Sequence, residues 1–202
     1  MQSSMKTPPP MPTQKSKPLR VKQYKDDWQG ETLPDYLQKN LDIVFVGLNP
    51  GRYSAEVGHY FANKVNRFWE ALSASALVPD PVGPEDDVRL MTWGIGLTDI
   101  VKRPTGGIHE VSQAEFRRGA KVLREKILDY RPQIVCFVGL TGYRICCGKD
   151  AGLGDRDHRF GGAHVFAIPS TSPRNAHYSL RDIIATLHDL KEFKESLETD
   201  ER

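Results

Sequence analysis

The sequence contains few cysteines and no long apolar run, and each shortage excludes a class of protein. Its three cysteines, Cys136, Cys146 and Cys147, are an odd number in a chain without a secretory signal pattern, so we expect no disulfide framework and a reducing, intracellular compartment. No apolar stretch approaches the ~18 residues of a membrane span, so we expect a soluble protein. Neither the cysteines nor the six histidines have the spacing of a metal-ligand set, and we predict no metal and no cofactor.

The chain also lacks a strong net charge, since its 28 Lys and Arg and its 26 Asp and Glu give a net charge of +2. Any nucleic-acid contact would therefore need a local basic surface. What remains is an ordinary globular composition, with 39% apolar and 27% charged residues in a chain of 202. This length predicts one catalytic domain.

The two ends of the chain differ in composition from the middle. The first 24 residues hold five prolines and five basic residues and no acidic one, so we predict a disordered basic tail over residues 1–30. Such a tail either attracts phosphates nonspecifically or is merely solvated. We expect the folded catalytic domain over residues 31–197 and a short charged tail over 198–202.

From Leu41 onward, short apolar runs alternate with stretches of helical spacing. We predict buried strands at 42–47, 134–138 and 164–168, helices at 65–77, 115–130, 141–147 and 179–197, and a surface loop at 149–162. The helix at 115–130 should begin at a capping box of Ser112 and Glu115 and end before Pro132. This alternation predicts an α/β fold with three α/β/α layers around a mostly parallel sheet, and a ligand crevice at the carboxyl ends of its strands.

Three polar segments lie where such a crevice should form. They are the loops Gly47-Leu-Asn-Pro-Gly51, Gly94-Ile-Gly-Leu-Thr-Asp99 and Pro169-Ser-Thr-Ser-Pro-Arg174. Asn49 in the first is a neutral amide that could orient a water, although Asn-Pro-Gly by itself is a common turn.

Taken in order, these three segments and Asn66-Arg-Phe-Trp69 resemble the motifs of the mismatch-specific uracil/thymine DNA glycosylases, which are family 2 of the uracil-DNA glycosylase superfamily. The similarity covers about residues 41–193. It implies a uracil-DNA glycosylase-like α/β/α fold and a monofunctional enzyme, since the motif positions supply no lysine nucleophile. The implied substrate is uracil opposite guanine, with thymine and damaged pyrimidines as further candidates. The expected partner is double-stranded DNA with G:U or G:T mismatches, bound by a monomer that is cytoplasmic and nucleoid-associated in a prokaryote or nuclear in a eukaryote.

The resemblance also implies roles for residues of a base-binding pocket. Asn49 matches the catalytic asparagine, and Phe61, followed by Ala62, matches the aromatic residue that stacks on the extruded base. Ser54 matches a pocket position, and the backbone N–H of Leu48 is a candidate donor to the base carbonyl. For Phe61 the alternative is an ordinary core aromatic.

Extruding a base leaves a gap in the duplex that the protein must fill. The resemblance makes Arg174 the inserting wedge, while Ser170, Ser172 and Pro173 belong to the loop that clamps the phosphates. The alternatives for Arg174 are a surface phosphate contact and an unrelated salt bridge. Arg67, Lys102 and Arg103 could add a local basic track, or could simply be solvated.

Asp99 departs from the family pattern, which often has another polar residue at this position. We hypothesise that its carboxylate activates the water or stabilises the sugar cation, because an asparagine amide is a poor base. A helix N-cap, or an ion pair with Lys102 or Arg103, is the alternative.

Other functions are possible for such a sequence. One is a glycosylase for uracil in single strands or for an altered purine. Another is a noncatalytic binder of mismatched DNA. A nucleotide-binding α/β protein is a third, although the chain has neither G-x-G-x-x-G nor G-x-x-x-x-G-K-[ST] at a strand end.

Overall fold

The computed structural model describes residues 28–148, 152–154 and 157–200. The basic tail predicted over 1–30 therefore lies outside the described residues except for its last three positions. The strands are β1 (Ile43–Gly47), β2 (Ile95–Asp99), β3 (Ile134–Val138), β4 (Arg159–Phe160) and β5 (Ala163–Ile168). The helices are α1 (Arg52–Val57), α2 (Phe68–Ala74), α3 (Gln113–Tyr130), α4 (Leu140–Cys147) and α5 (Leu180–Asp200).

These strands form one sheet in the order β2-β1-β3-β5-β4, in which only β4 is antiparallel to its neighbour. Every residue of β1, β2 and β3 is buried, as expected for parallel strands that are covered on both faces. Helices α2 and α5 contribute to the hydrophobic cluster on one face, and α3 and α4 to the cluster on the other. The predicted three-layer α/β/α architecture is confirmed.

The segment 94–99 was predicted as a loop, and that prediction is wrong. It forms strand β2 at the edge of the sheet, paired in register with β1 from Ile43↔Ile95 to Gly47↔Asp99. Gly96 allows a preceding segment to pack on this edge, since a Cβ there would approach within 2.6 Å of the Tyr36 carbonyl oxygen. Gly96 therefore reflects close packing, whereas Gly94 has a positive φ of 72° and ends the turn before the strand.

Several predicted boundaries also need correction. Helix α2 is shorter than the predicted 65–77, because Asn66 Oδ1 accepts a hydrogen bond from the Phe68 N–H at its start and Ala76 has a positive φ of 56° beyond its end. The predicted loop 149–162 contains the short strand β4, whose Phe160 is buried.

The final helix, α5, continues to Asp200, three residues beyond the end predicted for it at 197. Leu197 still packs on the core, and Lys194 pairs with Glu198 one turn further on. The capping box of Ser112 and Glu115 at the start of α3 is confirmed. No helix in the described part of the chain is long and apolar enough to cross a membrane.

Candidate active site

A cavity of about 540 Å³ opens at the carboxyl ends of the parallel strands, where this type of sheet places its ligand sites. It brings together the loop after β1, the end of β2 and the loop after β5. All the residues predicted for the site line this cavity except Ala62: they are Leu48, Asn49, Ser54, Phe61, Asp99, Ser170, Ser172, Pro173 and Arg174. The volume is sufficient for a pyrimidine base and its sugar.

Gly47, the last residue of β1, allows the floor of the cavity to be compact. It pairs with Asp99 across the sheet, and a Cβ at this position would collide with Asp99 Oδ1. The same Cβ would lie 3.7 Å from Phe61 Cζ. A side chain at position 47 would therefore occupy the space between the carboxyl group and the aromatic ring.

The Asn49 side chain is held by its amide nitrogen. Its Nδ2 donates to the Thr105 Oγ1 at 2.8 Å and to the carbonyl oxygens of Arg103 and Pro50, each at 3.1 Å. The described residues donate no hydrogen bond to its Oδ1, so this oxygen is left as an acceptor beside the cavity. An amide fixed in this way can orient a water without first losing conformational freedom.

The backbone of the same loop is fixed through its carbonyl groups. The carbonyl oxygens of Gly47 and Leu48 accept hydrogen bonds from Ile100 and Val101, which fixes the loop to the chain that leaves β2. Within the described part of the chain, nothing accepts a hydrogen bond from the Leu48 N–H. Because Leu48 lines the cavity, this N–H can donate to a polar ligand.

Phe61 forms an aromatic wall. Its ring stacks on Phe68 with centroids 4.2 Å apart, and the residue is held in the left-handed region at φ 51°. A non-glycine residue in this conformation is strained, and such strain is common at functional sites. Phe61 is only partly buried, so the stack on Phe68 supports its ring while it lines the cavity.

Ser54 and Ala62 hold this wall in place. The Ala62 N–H donates to Ser54 Oγ at 3.1 Å, and both residues are buried. Ala62 was predicted to line the pocket, and the structure instead buries it outside the cavity lining. Ser54 lines the cavity, and its hydroxyl oxygen also supports the Phe61 segment.

Asp99 neither caps a helix nor forms an ion pair with Lys102 or Arg103, which were the alternatives to a catalytic role. Lys102 pairs with Asp35, and Arg103 pairs with Glu115 at 2.7 Å. The next regular element, a short 3-10 turn, starts only at Ile108, so Asp99 caps no helix. Asp99 is 3% exposed, and its Oδ2 has no hydrogen-bond partner among the described residues. Burial raises the pKa of Asp99 to about 7, against an opposing effect of the Lys102 ammonium.

Arg174 is exposed on the loop after β5, and its guanidinium lies against Gly107 on the opposite rim of the cavity. Arg67 holds the loop that carries Arg174. The Arg67 guanidinium donates to the carbonyl oxygens of Ser172, Asn175 and Tyr178, at distances from 2.5 to 3.1 Å. These bonds keep the tip of the loop at the cavity mouth.

The basic track predicted from Arg67, Lys102 and Arg103 is therefore wrong. Arg67 is used inside the protein, Lys102 is 6% exposed, and Arg103 forms a two-pronged pair with Glu115. Each of these three side chains binds polar groups within the protein rather than facing the solvent as part of a basic surface. Positive charge at the cavity mouth comes from Arg174 instead.

Sequence reasoning missed Thr105 and misassigned Arg67, which both organise the site. Thr105 is buried and joins the loop after β1 to the chain beyond β2, through Asn49 Nδ2 and through its own N–H to the Pro50 carbonyl. No local pattern points to this contact across more than 50 residues. For Arg67, its place in the Asn66-Arg-Phe-Trp69 motif was the available signal.

The fold has a counterpart among solved structures. A candidate uracil DNA glycosylase from Methanosarcina acetivorans, solved by solution NMR, superposes with a TM-score of 0.50 at 20% sequence identity. The match covers 80% of this chain and 98% of that one. At this identity the likeness supports the fold alone.

The sequence comparisons show the family. The model of the uracil DNA glycosylase superfamily matches residues 34–198, and the chain therefore belongs to that superfamily. A G/U mismatch-specific uracil DNA glycosylase of Schizosaccharomyces pombe is 34% identical over 176 residues. That match covers 82% of this chain and 54% of the relative, so the chain spans about half the length of this curated relative.

Proposed function

We propose that this protein is a mismatch-specific DNA glycosylase that extrudes uracil opposite guanine from the duplex and hydrolyses its N-glycosidic bond. The observation that carries the proposal is the cavity in which Asn49, Asp99 and Phe61 meet. The 34% identity to a G/U mismatch-specific enzyme supports the choice of substrate. Excision from a duplex requires such a pocket, because the glycosidic carbon cannot be reached while the base is stacked.

Binding of the extruded base would use one face and one edge of the pyrimidine. Phe61 provides a stacking surface, worth about 1–3 kcal/mol per base. The Leu48 N–H can donate to a base carbonyl, and this bond strengthens as negative charge develops on the departing base. Thymine carries a 5-methyl group that would have to fit in the same pocket. Thymine excision is therefore tested separately from uracil excision.

The hydrolysis needs water and the protein's own side chains. As the bond between C1′ and the base nitrogen breaks, its electron pair leaves with the base and the sugar becomes oxocarbenium-like. A water held by Asn49 Oδ1 adds to C1′ and gives a proton to the Asp99 carboxylate. The Asp99 carboxyl group then returns this proton, through solvent, to the nitrogen of the departing base, which restores the carboxylate. The products are free uracil and an abasic site.

Asp99 can accept this proton only when it is ionised. Since burial raises its pKa to about 7, we expect the single-turnover rate to rise with pH through that value. Replacing Asp99 with asparagine should remove this dependence. A single-turnover pH series on the two proteins measures it.

Duplex binding would use the loop after β5. Arg174 is long, exposed and at the cavity mouth, so it can enter the gap left by the extruded base and donate to the orphaned guanine. Ser170, Ser172 and Pro173 line the same rim and can approach the flanking phosphates. This arrangement favours double-stranded over single-stranded DNA.

The test is incubation with labelled duplexes that hold uracil or thymine opposite guanine or adenine, and with the single strand, followed by alkali. We expect strand breaks that appear only after alkali, strongest for uracil opposite guanine. A noncatalytic mismatch binder would shift the same duplexes in a gel without releasing base. Breaks without alkali would instead reveal lyase action and contradict the water mechanism.

A further inference from the structure

The rim of the cavity opposite the loop of Arg174 carries one exposed apolar side chain that takes no part in the proposed hydrolysis. Residues 106–108 line the cavity, and they are two glycines followed by Ile108. Ile108 is 41% exposed, although isoleucine is among the residues most often buried. Because glycine has no side chain, Ile108 is the one residue of this stretch that presents a side chain at the cavity mouth.

The two glycines leave room for charged side chains that pack against them. A Cβ at Gly106 would lie 2.7 Å from Glu110 Oε1. A Cβ at Gly107 would lie 2.6 Å from Arg174 Nη1, which is closer than real Cβ atoms approach other atoms. The Arg174 guanidinium therefore reaches the residue next to Ile108. The two side chains lie at the same part of the cavity mouth, although they come from opposite rims.

The backbone that carries Ile108 is fixed on both sides. Ile108 begins a short 3-10 turn that ends at Glu110. Before the turn, the buried Thr105 donates from its hydroxyl to the Gly107 carbonyl oxygen at 3.0 Å. At its end, Arg103 Nη2 donates to the Glu110 carbonyl oxygen at 2.7 Å. A side chain on such a fixed turn can contact a ligand with little loss of conformational freedom.

The charges around Ile108 fit a nucleic acid. Arg174 is exposed on one side of it. On the other side, the exposed Arg52 pairs with Glu110 at 2.8 Å, so the acidic side chain of the turn already has a cationic partner. An aliphatic side chain among arginines matches opened duplex DNA, which offers anionic phosphates outside and apolar base faces inside.

Extrusion of a nucleotide uncovers the face of each neighbouring base pair, and aliphatic side chains such as isoleucine can pack between base steps opened in this way. We propose that Ile108 is a second wedge, which packs against the base pair next to the extruded nucleotide from the rim opposite Arg174. This inference rests on the proposed function, in which the base leaves the duplex. Ile108 then contributes to the preference for double-stranded DNA, because a single strand has no neighbouring base pair.

The test compares binding to a duplex that holds a cleavage-resistant abasic analogue opposite guanine with binding to the undamaged duplex. Ile108→Ala should weaken binding to the abasic duplex about tenfold, because most of the apolar contact is lost. It should bind the undamaged duplex like the wild type, since the base faces there stay stacked. On a single strand with the same analogue, the loss should be much smaller than on the abasic duplex.

Two further variants separate an apolar contact from a general loss of structure. Ile108→Leu keeps the apolar volume and should bind the abasic duplex nearly as tightly as the wild type. The matched control is Leu128→Ala, because Leu128 is a 52% exposed aliphatic residue on α3 that does not line the cavity. It should leave every affinity unchanged, and thermal melting checks that each variant is folded. Wild-type affinity of folded Ile108→Ala for the abasic duplex, or an equal loss on the undamaged duplex or the single strand, would overturn the inference.

Binding and excision together separate this inference from the proposed function. If the wild type prefers the abasic duplex but excises no uracil, the proposed catalysis is wrong, and the affinity of Ile108→Ala still decides whether Ile108 is a wedge. If the wild type excises uracil while Ile108→Ala binds the abasic duplex as tightly as the wild type, the inference alone is wrong. A wild-type protein that neither excises uracil nor distinguishes the abasic from the undamaged duplex contradicts both.

Discussion

Replacing Asp99 with asparagine exchanges a buried titratable group for a neutral group of nearly the same shape. Burial raises the pKa of Asp99 from an ordinary 3.8 to about 7. The protonated carboxyl therefore contributes stability that is fully present below pH 3.8 and is lost as the pH rises through about 7. At 1.36 kcal/mol per pKa unit, the loss is on the order of 4 kcal/mol.

The asparagine variant lacks this titration, so the difference between the two proteins should depend on pH. Between pH 4 and 8, the free energy of unfolding of the wild type should fall relative to Asp99→Asn by about 4 kcal/mol. At high pH, the free energy of unfolding of Asp99→Asn should exceed that of the wild type by less than this amount, because a buried amide without an acceptor costs about 1–3 kcal/mol. Urea unfolding at closely spaced pH values measures the difference.

A matched control is Asp80→Asn. Asp80 is 63% exposed and forms a surface pair with Arg89, so its loss should cost less than about 1 kcal/mol. Parallel stability curves for wild type and Asp99→Asn between about pH 4 and 8 would refute the reasoning, since they would mean that Asp99 titrates alike in the folded and unfolded chain.

The other predictions concern how the cavity is built and how it meets DNA. Gly47→Ala should slow excision about 100-fold, because its Cβ would displace the Asp99 carboxyl group; single-turnover rates measure this. Phe61→Ala should weaken binding of an extruded base by about 1–3 kcal/mol, as measured by titration with a cleavage-resistant uracil duplex. Arg67→Ala should destabilise the protein by about 1–3 kcal/mol in urea unfolding, since three carbonyl groups lose their donor. Arg174→Ala should reduce excision from duplexes about tenfold and from single strands much less, while the exposed Arg117→Ala on α3 changes neither.

The fold could be predicted from sequence wherever one local signal dominates. The apolar runs of β1, β3 and β5 and the capping box of α3 each identify their element from a few adjacent residues. Strand β2 was missed because Gly94 and Gly96 are typical of a turn, and only the close approach of Tyr36 explains Gly96. That contact depends on a segment some 60 residues earlier in the chain.

The candidate site could be predicted only in part, because some of its residues act through partners that are distant in sequence. Asn49, Phe61 and Arg174 lie in short motifs whose residue types indicate their chemistry. Thr105 and Asp35 act through partners that are distant in sequence, and no periodic pattern reports such pairs.

Lys102 shows the opposite error. Its position beside Arg103 suggested an exposed track, but its ammonium group pairs with Asp35 in the interior. Charge along the sequence does not indicate burial when the partner lies elsewhere in the chain.

Release of labelled uracil from a G:U duplex under single-turnover conditions, by the wild type and by Asn49→Ala, tests the central claim most directly. We predict that wild-type protein releases the base and leaves an alkali-sensitive site. We also predict that Asn49→Ala, while folded and still bound to the duplex, releases uracil about 100-fold more slowly, because the water is no longer oriented. A folded Asn49→Ala protein that releases uracil at the wild-type rate would contradict the proposed role of Asn49.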